Sequence, residues 1–337
     1  MRLTAGLLTH NSEQYASRCL ETLVAQTGLG ILGKDWQIVC LDNASEGRIA
    51  LARLESKFRN VIFQKEHRNL GFSKAHNLIM RTYPAEFHAV LNIDVLFAPD
   101  YLTKLLAALE KYPHAGSAVG KLRRWKLGEG EERTNIIDSA GISATKTHAF
   151  SDRGQGETDH GQYDEPREIF GGTGAAVVYR RSALENIAYV STVKSQLSTA
   201  RTEFFDETMF MYKEDIDLAY RLLVAGHPCR YVPEAFAWHA RGSGKEHKRR
   251  KRRTAERVLS TAHETLLLRK HQTFWPAEIQ RRTAVRQCAR WTYLSLLEPH
   301  VFFGARKLLR SLREEALKRQ TATKHTVPFA DLTRFFT

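Results

Sequence analysis

The sequence predicts an α/β protein: a Rossmann-like, mainly parallel sheet with helices on both faces, followed by a basic helical extension at the C-terminus. Three observations lead to this prediction. Short apolar runs alternate with amphipathic stretches as far as residue 111, and parallel strands require such helical crossovers. Polar residues follow several of the apolar runs, and the excess of basic residues lies beyond residue 240.

The elements follow from their apolar patterns in chain order. The first apolar run, Leu3 to Leu8, is short and polar residues follow it, so it predicts a buried strand and not a signal peptide. Pro99-Asp100 is a capping signal before the fourth helix. Strands are predicted at 3–8, 37–41, 61–64 and 89–92, and helices at 13–25, 49–58, 73–81 and 100–111.

Polar side chains stand directly after three of the predicted strands. They are Asn11, Asp42 and Asp94. Because open α/β sheets bind ligands at the carboxyl ends of their strands, we expect these residues to face one site. Two local alternatives remain open: Asp42 could begin an Asx turn, and Asp94 could cap the turn before Pro99.

A group of carboxylates, Glu214, Asp215 and Asp217, crowds the start of a later helix, which apolar spacing predicts and Gly226 ends. A helix dipole tolerates negative charge there, so a solvated helix start is one interpretation. The other is a catalytic base. Asp215 is the candidate because its charged neighbours would influence its pKa and suit it to accept a proton from a hydroxyl.

Charge divides the chain near residue 245. Residues 241–337 hold 23 Lys and Arg against 8 Asp and Glu, whereas residues 1–240 hold 28 against 29. The densest basic run, Lys248–Arg253, follows the flexible sequence Gly242-Ser243-Gly244. We therefore predict one domain over 1–245 and a basic helical region over 246–337.

Several motifs together resemble glycosyltransferase family 2, in order and over residues 1 to about 245. They are Thr9-His10-Asn11-Ser12, Asp42-Asn43-Ala44-Ser45, Arg68-Asn69-Leu70-Gly71-Phe72, Asn92-Ile93-Asp94, Phe170-Gly171-Gly172-Thr173-Gly174, Phe205-Asp206-Glu207, Glu214-Asp215 and Tyr231-Val232-Pro233-Glu234. The resemblance implies a GT-A fold, with a nucleotide-binding half over about 1–120 and an acceptor half over about 121–245.

The same resemblance implies roles for individual residues. Asp94 and His239 would bind a divalent cation, Mg²⁺ or Mn²⁺, although Asn92 replaces the usual first aspartate of the motif. Asp42 would accept a hydrogen bond from a uracil or thymine base. The nucleotide-sugar site would comprise Thr9, Asn11, Asp42, Asn43, Asn69, Gly71, Asn92, Gly171 and Gly172. Tight strand packing is the alternative explanation for Gly171 and Gly172.

The implied activity is an inverting, metal-dependent transfer of a sugar from a nucleotide donor to a hydroxyl. Asp215 would be the base, Asp206 and Glu207 would shape the acceptor site, and Glu214 would position the base or the acceptor. Family members with similar motifs suggest rhamnose from dTDP-rhamnose as the first donor and a UDP-hexose as the second. The acceptor would be a cell-envelope glycan or a lipid-linked glycan.

Other interpretations rest on the C-terminal region. Its basic residues could bind nucleic acid, which we do not expect because no recognition pattern accompanies them. Gln287-Cys288-Ala289-Arg290-Trp291 fits a motif of processive polysaccharide synthases, but it lies about seventy residues beyond Asp215. We favour basic helices that hold the enzyme against anionic lipid, with Trp275, Trp291, Phe302 and Phe303 contributing. A third possibility is that the C-terminal helices pair two subunits in a homodimer.

Composition also predicts a location. The four cysteines show no paired spacing, which predicts free thiols in a reducing compartment. No apolar run reaches the about 18 residues that a transmembrane helix needs. We therefore expect a cytoplasmic protein, or one peripheral on the inner face of the cell membrane.

Overall fold

The computed structural model describes residues 1–46, 48–128, 131–191, 201–241 and 246–337. All eight helices and strands predicted within the first 111 residues are present. The strands are β1 (Leu3–Thr9), β2 (Trp36–Asp42), β3 (Val61–Lys65), β4 (Phe87–Asn92), β5 (Val95–Phe97), β6 (Ser117–Leu127), β7 (Glu131–Ser139), β8 (Ile142–Ala144), β9 (Phe150–Asp152), β10 (Arg167–Ile169), β11 (Ala176–Arg180), β12 (Tyr189–Ser191), β13 (Arg201–Glu203) and β14 (Cys229–His239).

Helices alternate with the strands as far as β14, and the helices after β14 form the C-terminal region. They are α1 (Glu13–Val24), α2 (Arg48–Lys57), α3 (Gly71–Thr82), α4 (Tyr101–Lys111), α5 (Arg181–Ile187), α6 (Glu214–Val224), α7 (Glu246–His271), α8 (Ala277–Leu297), α9 (Pro299–Ser311), α10 (Arg313–Ala322) and α11 (Phe329–Leu332). Among the described residues, none of these helices has the length and apolar character that crossing a membrane requires.

One large mixed sheet organises the first 240 residues, with strand order β10-β14-β6-β11-β4-β1-β2-β3. The strands β4, β1, β2 and β3 are all parallel to one another. Next to them, β11 runs antiparallel between β4 and β6, while β14 is parallel to β6. The α/β prediction is thus confirmed, with the parallel part of the sheet in the first half of the chain.

Helices cover both faces of the parallel strands because successive side chains of a strand point to opposite faces. On one face, α1 and α4 contribute Leu20 and Leu105 to the apolar core that also contains side chains of β1 and β2, and α4 itself lies against β6 and β14. On the other face, Ala75 and Ile79 of α3 pack against Val39 and Leu41. The parallel register places the carboxyl ends of β1, β2 and β4 along one edge.

The C-terminal helices pack against α6 through a second apolar core. This core joins Tyr220 and Leu223 of α6 to Leu266 of α7 and to Trp275, which follows α7. Trp275 is 4% exposed, and its indole N–H donates to the Tyr220 hydroxyl at 2.7 Å. The predicted division near residue 245 remains a prediction, because residues 242–245 lie outside the described chain.

Buried charges join the same elements. The Lys270 ammonium of α7 contacts Asp206 and Asp217, each at 2.5 Å. Asp217 also pairs with Arg221 one turn along α6, at 2.9 Å. Removing one partner of such a set leaves an uncompensated buried charge, so these contacts hold α7 on α6.

Candidate active site

The carboxyl ends of the parallel strands bring the predicted nucleotide-site residues together. Thr9 is paired in register with Asp42, and Asn92 with the residue before Thr9. The Thr9 hydroxyl is buried and has no hydrogen-bond partner within the described ranges. Asp42 accepts the N–H of Ser45, three residues on, at 3.0 Å, so its carboxylate braces the loop after β2, whereas an Asx turn would bond the N–H two residues on.

Hydrogen bonds join two neighbouring loops next to this edge. The predicted Asn43 lies in the loop after β2, and the predicted Asn69 and Gly71 lie where the chain enters α3. The Asn69 side-chain oxygen accepts from Asn43 Nδ2 at 3.0 Å and from the Gly71 N–H at 2.8 Å. Gly71 has φ +75°, and a Cβ there would collide with the Phe210 carbonyl. Only glycine at position 71 leaves room for the backbone of Phe210, so this requirement comes from a contact within the protein.

Asn11 closes the first loop of the site. Its backbone has φ +52°, a region that asparagine tolerates better than most residues. The side-chain oxygen accepts the Glu46 N–H at 2.9 Å, and the Asn11 N–H donates to Ser45 Oγ at 2.9 Å. The asparagine thus ties the loop after β1 to the loop after β2.

Asp94 and His239 meet, as the metal prediction requires. Asp94 lies in the turn between β4 and β5, and His239 is the last residue of β14, which pairs with β5. Asp94 Oδ1 and His239 Nε2 are 3.3 Å apart. Burial lowers the pKa of His239, but the charges of Asp94 and Asp138 outweigh burial and raise it to about 10.

Asp138, at the end of β7, is a site residue that the sequence did not indicate. It is fully buried, and its Oδ2 accepts from His239 Nδ1 at 2.8 Å. Arg241 Nε contacts its other oxygen at 2.7 Å. Asp138 comes from the stretch between the recognised motifs, 101 residues from His239, so no local pattern marks it.

These side chains fit a divalent cation. Nδ1 of His239 donates to Asp138, so Nε2, which faces Asp94 and would give up its proton on binding, is the nitrogen that would bind a metal in a carboxylate–histidine–metal arrangement. Within the described ranges no group of three or more His, Cys, Asp or Glu residues is placed to hold a metal. Asp94 and His239 would therefore be the protein ligands, and further ligands would come from water or from a bound diphosphate.

Asp215 stands at the start of α6 and is half-buried. Its Oδ2 accepts the Gly174 N–H at 3.0 Å, and its Oδ1 accepts the Ile216 N–H at 2.8 Å. Burial raises the pKa of Asp215, and the nearby charge of Asp152 adds to the rise, while the two N–H donors oppose it. The net effect is a carboxylate with raised proton affinity in a fixed orientation.

Glu214, the preceding residue, is 6% exposed. One of its carboxylate oxygens, Oε2, has no hydrogen-bond partner in the described part of the chain. Burial, followed by the charge of Asp215, raises the pKa of Glu214 well above its ordinary value. The two adjacent carboxyl groups thus both favour protonation, and only Asp215 is partly open to solvent.

The loop before α6 has an unusual backbone. Tyr212 and Lys213 are consecutive non-glycine residues with φ of +69° and +75°. His263 of α7 lies against this loop, with Nδ1 at 2.9 Å from the Met211 carbonyl and 3.0 Å from the Tyr212 carbonyl. Because both neighbours are acceptors, Nδ1 carries the proton and donates. This contact spans about fifty residues, and no local sequence pattern indicates it.

The two predicted acceptor-site carboxylates have protein partners. Asp206 is 1% exposed and contacts Lys270 and Thr208. Glu207 pairs with Arg81 at 3.2 Å and with Arg201 at 3.0 Å. These contacts fasten the 205–209 segment to its surroundings. An acceptor contact of either residue stays a prediction.

The glycines predicted to lie over the sugar are explained by packing. A Cβ at Gly171 would collide with the Ala219 side chain of α6, and one at Gly172 with Val119 of β6. Gly174 differs from both, since its N–H binds the Asp215 carboxylate. Packing therefore requires glycine at the first two positions, and a sugar contact of Gly171 or Gly172 stays a prediction.

Sequence comparison identifies the enzyme class as a glycosyltransferase. The chain belongs to glycosyl transferase family 2, whose sequence profile matches residues 5–188. Both the family and the enzyme class predicted above are thereby confirmed.

Individual proteins are similar over a longer part of the chain. An N-acetylglucosaminyl-diphospho-decaprenol L-rhamnosyltransferase of Mycobacterium tuberculosis (strain CDC 1551 / Oshkosh) is 26% identical over 303 residues, covering 83% of this chain and 87% of that protein. This similarity reaches beyond the part that the family profile matches.

Two solved structures share the fold. GalNAc-T7 with UDP, GalNAc and Mn²⁺ superposes with a TM-score of 0.57 at 13% identity, covering 83% of this chain and 49% of GalNAc-T7. The mannosyltransferase PcManGT from Pyrobaculum calidifontis, with GDP-Man and Mn²⁺, gives 0.51 at 15% identity, covering 99% and 83%. The chain thus spans about half the length of GalNAc-T7 and most of PcManGT.

Proposed function

We propose that this glycosyltransferase moves rhamnose from dTDP-rhamnose, with inversion, to a hydroxyl of a lipid-linked acceptor in cell-envelope glycan synthesis. The observation that carries the proposal is Asp215, a carboxylate of raised pKa that the Gly174 N–H holds at the start of α6. The name of the mycobacterial relative supports rhamnose as the sugar and a lipid-linked acceptor. A UDP-hexose is the second donor in our proposal.

Asp215 acts as the general base. A carboxyl group with a raised pKa is better matched to taking a proton from a hydroxyl near neutral pH than an ordinary aspartate. The acceptor oxygen then forms its bond to the anomeric carbon while the bond to the nucleoside diphosphate breaks. Because the displacement is direct, the configuration inverts and no covalent enzyme intermediate forms.

Asp94 and His239 would hold a divalent cation, Mg²⁺ or Mn²⁺, which neutralises charge on the departing diphosphate. Asp138 orients the histidine by accepting from its Nδ1. Two neighbours in fold were solved with Mn²⁺ and a nucleotide or nucleotide sugar, which supports this assignment. The polar strand ends at Thr9, Asp42 and Asn92 would bind the nucleotide.

The polymer-synthase alternative loses its support. Gln287 and Arg290 of the motif in question both contact Glu264 of α7, Gln287 at 3.1 Å and Arg290 at 2.5 Å. Trp291 packs edge-on against Phe302 of α9, with ring centroids 5.6 Å apart. These contacts join α7, α8 and α9, so packing accounts for the three residues.

Thermal stabilisation by UDP, dTDP, GDP and ADP, with and without Mg²⁺ or Mn²⁺, tests the proposal. Ligand that binds only the native state raises the melting temperature by mass action. We expect dTDP or UDP to stabilise the protein when metal is present, and Asp94→Ala to abolish that response. Asp100→Ala, an exposed aspartate that pairs with Lys104, is the matched control and should respond like the wild type. The proposal would be contradicted if GDP or ADP stabilised the protein while dTDP and UDP did not, or if no nucleotide stabilised it.

A further inference from the structure

The outer surface of α8 carries no charge over its last four turns. The exposed residues between positions 283 and 297 are Ala284, Val285, Cys288, Ala289, Thr292, Tyr293, Ser295, Leu296 and Leu297. Four of the side chains are large and apolar: Val285 is 65% exposed, Tyr293 50%, Leu296 74% and Leu297 67%. This pattern is the reverse of an ordinary surface helix, and it occurs in the most basic part of the chain.

The charged residues of this stretch point inward. Arg286 and Arg290 both pair with Glu264 of α7, at 3.1 and 2.5 Å. Glu264 is 6% exposed, and Arg286 also donates to the carbonyls of Thr147 and His148, at 3.0 and 2.8 Å. These bonds fix the orientation of α8 about its own axis, so its apolar side faces outward.

The apolar surface continues onto α9. Phe303 is 67% exposed, and its ring lies 5.3 Å from Phe302, which in turn contacts Trp291 of α8. The exposed cations Arg306, Lys307 and Arg310 follow on the same helix. We call Val285, Tyr293, Leu296, Leu297 and Phe303 the apolar face.

We propose that the apolar face docks the enzyme on an anionic membrane surface, with its leucines and aromatic rings in the interfacial layer. Apolar residues bordered by cations are the composition that binds such interfaces. A second copy of the chain would bring the cations of two α9 helices towards one another. Anionic headgroups would instead neutralise them, and the C-terminal region holds 23 basic against 8 acidic residues.

The apolar face also adjoins the catalytic loop. A groove of about 490 Å³ opens between α7 and α8, with Tyr293 and Leu294 on one side and Tyr212 and Arg257 among its other lining residues. Tyr212 lies three residues before Asp215, and Tyr293 belongs to both the groove and the apolar face. The inference rests on the proposed transfer to a lipid-linked acceptor and adds the surface from which that acceptor would enter.

Sedimentation of the full chain with vesicles tests the docking surface. We expect binding to phosphatidylglycerol vesicles and little binding to phosphatidylcholine vesicles. The double variant Leu296→Gln, Leu297→Gln should lose about tenfold or more in vesicle affinity, because two side chains no longer enter the interface. Leu317→Gln, which changes an exposed leucine of α10 (57% exposed), is the matched control and should bind like the wild type.

Cys288 offers an independent probe of the same face, because it is exposed while Cys19, Cys40 and Cys229 are buried. A polarity-sensitive dye on Cys288 should shift to shorter wavelength on phosphatidylglycerol vesicles. Failure of the wild type to bind, equal binding by the double variant, or binding without a dye shift would overturn the proposal. A wild-type dimer that the double variant converts to a monomer, without vesicle binding, would assign the face to a second copy.

The outcome can be separated from that of the proposed function. Nucleotide-dependent stabilisation should be the same in the wild type and the double variant, because neither leucine belongs to the strand-end site. If this stabilisation persists while vesicle binding is absent, docking fails and the transferase proposal stands. If no nucleotide stabilises either protein, the transferase proposal fails whatever the vesicles show.

Discussion

The parallel strand ends and the start of α6 are built in different ways. At the strand ends, Thr9, Asp42 and Asn92 stand on adjacent parallel strands, and register alone brings them together. At the start of α6, Asp215 depends on a loop that α7 supports through His263, and on a glycine N–H from residue 174. The first site should therefore tolerate changes in distant helices, whereas the second should not.

The largest effect should follow Asp215→Asn. Loss of the base should lower kcat by about 10²- to 10⁴-fold, because an amide cannot accept the acceptor's proton. Nucleotide release in a transfer assay with dTDP-rhamnose or a UDP-hexose measures it. Nucleotide-dependent stabilisation of the variant should be unchanged, since the strand ends are intact. Activity within tenfold of the wild type would show that the base is another residue.

The buried charges around Lys270 allow a test of how far α6 and the 205–209 segment depend on α7 for their stability. Lys270→Met leaves Asp206 and Asp217 without the cation between them, and we expect a loss of about 3–5 kcal/mol in the free energy of unfolding. Urea unfolding measures it. Lys318→Met is the control, because that side chain is 72% exposed and should change stability by less than about 0.5 kcal/mol. Equal losses in the two variants would contradict a structural role for Lys270.

Asp138 is linked to Asp94 through His239, which contacts both carboxylates. Asp138→Asn should weaken Mn²⁺ binding in the presence of dTDP or UDP by about 10- to 100-fold, since the histidine loses its orienting carboxylate. Titrating the nucleotide-dependent melting temperature with Mn²⁺ provides the measurement. The Asp100→Asn variant should titrate like the wild type. An unchanged Mn²⁺ midpoint would remove Asp138 from the metal site.

His263 tests the support of the catalytic loop directly. His263→Ala should lower kcat by about 10- to 100-fold and leave KM for the donor unchanged, because only the loop before Asp215 loses its support. His263→Asn should recover much of kcat, since its amide N–H can reach the same carbonyls. A matching rise in the donor KM, or no rescue by asparagine, would indicate general disruption and not positioning.

The smallest expected effect concerns Glu214 and pH. Because the pKa of Glu214 is raised, the folded protein binds the proton more tightly than the unfolded chain does. Ionisation of Glu214 therefore destabilises the fold as pH rises from the pKa of the unfolded chain to the pKa of the folded protein. Glu214→Gln should therefore raise the free energy of unfolding near pH 7, each pKa unit corresponding to about 1.4 kcal/mol. The gain should disappear below about pH 4, where both states are protonated. Urea unfolding at the two pH values checks the sign, and a gain that persists at low pH would contradict it.

The sequence by itself determined the alternation of strands and helices, the placing of polar residues at strand ends and the carboxylates at the start of α6. All three follow from local periodicity and from the order of elements, which a linear pattern contains. The pairing of Asp94 with His239 could also be predicted, because both lie in recognisable motifs.

Only the tertiary structure decided which distant groups complete the site. Asp138 meets His239 across 101 residues, His263 reaches the Tyr212 carbonyl across 51, and Lys270 neutralises Asp206 inside the protein. The outward apolar face of α8 likewise depends on Glu264 drawing Arg286 and Arg290 inward. Such contacts are set by the packing of whole helices, and the physical reason for them lies in satisfying buried charge, which no local window of sequence records.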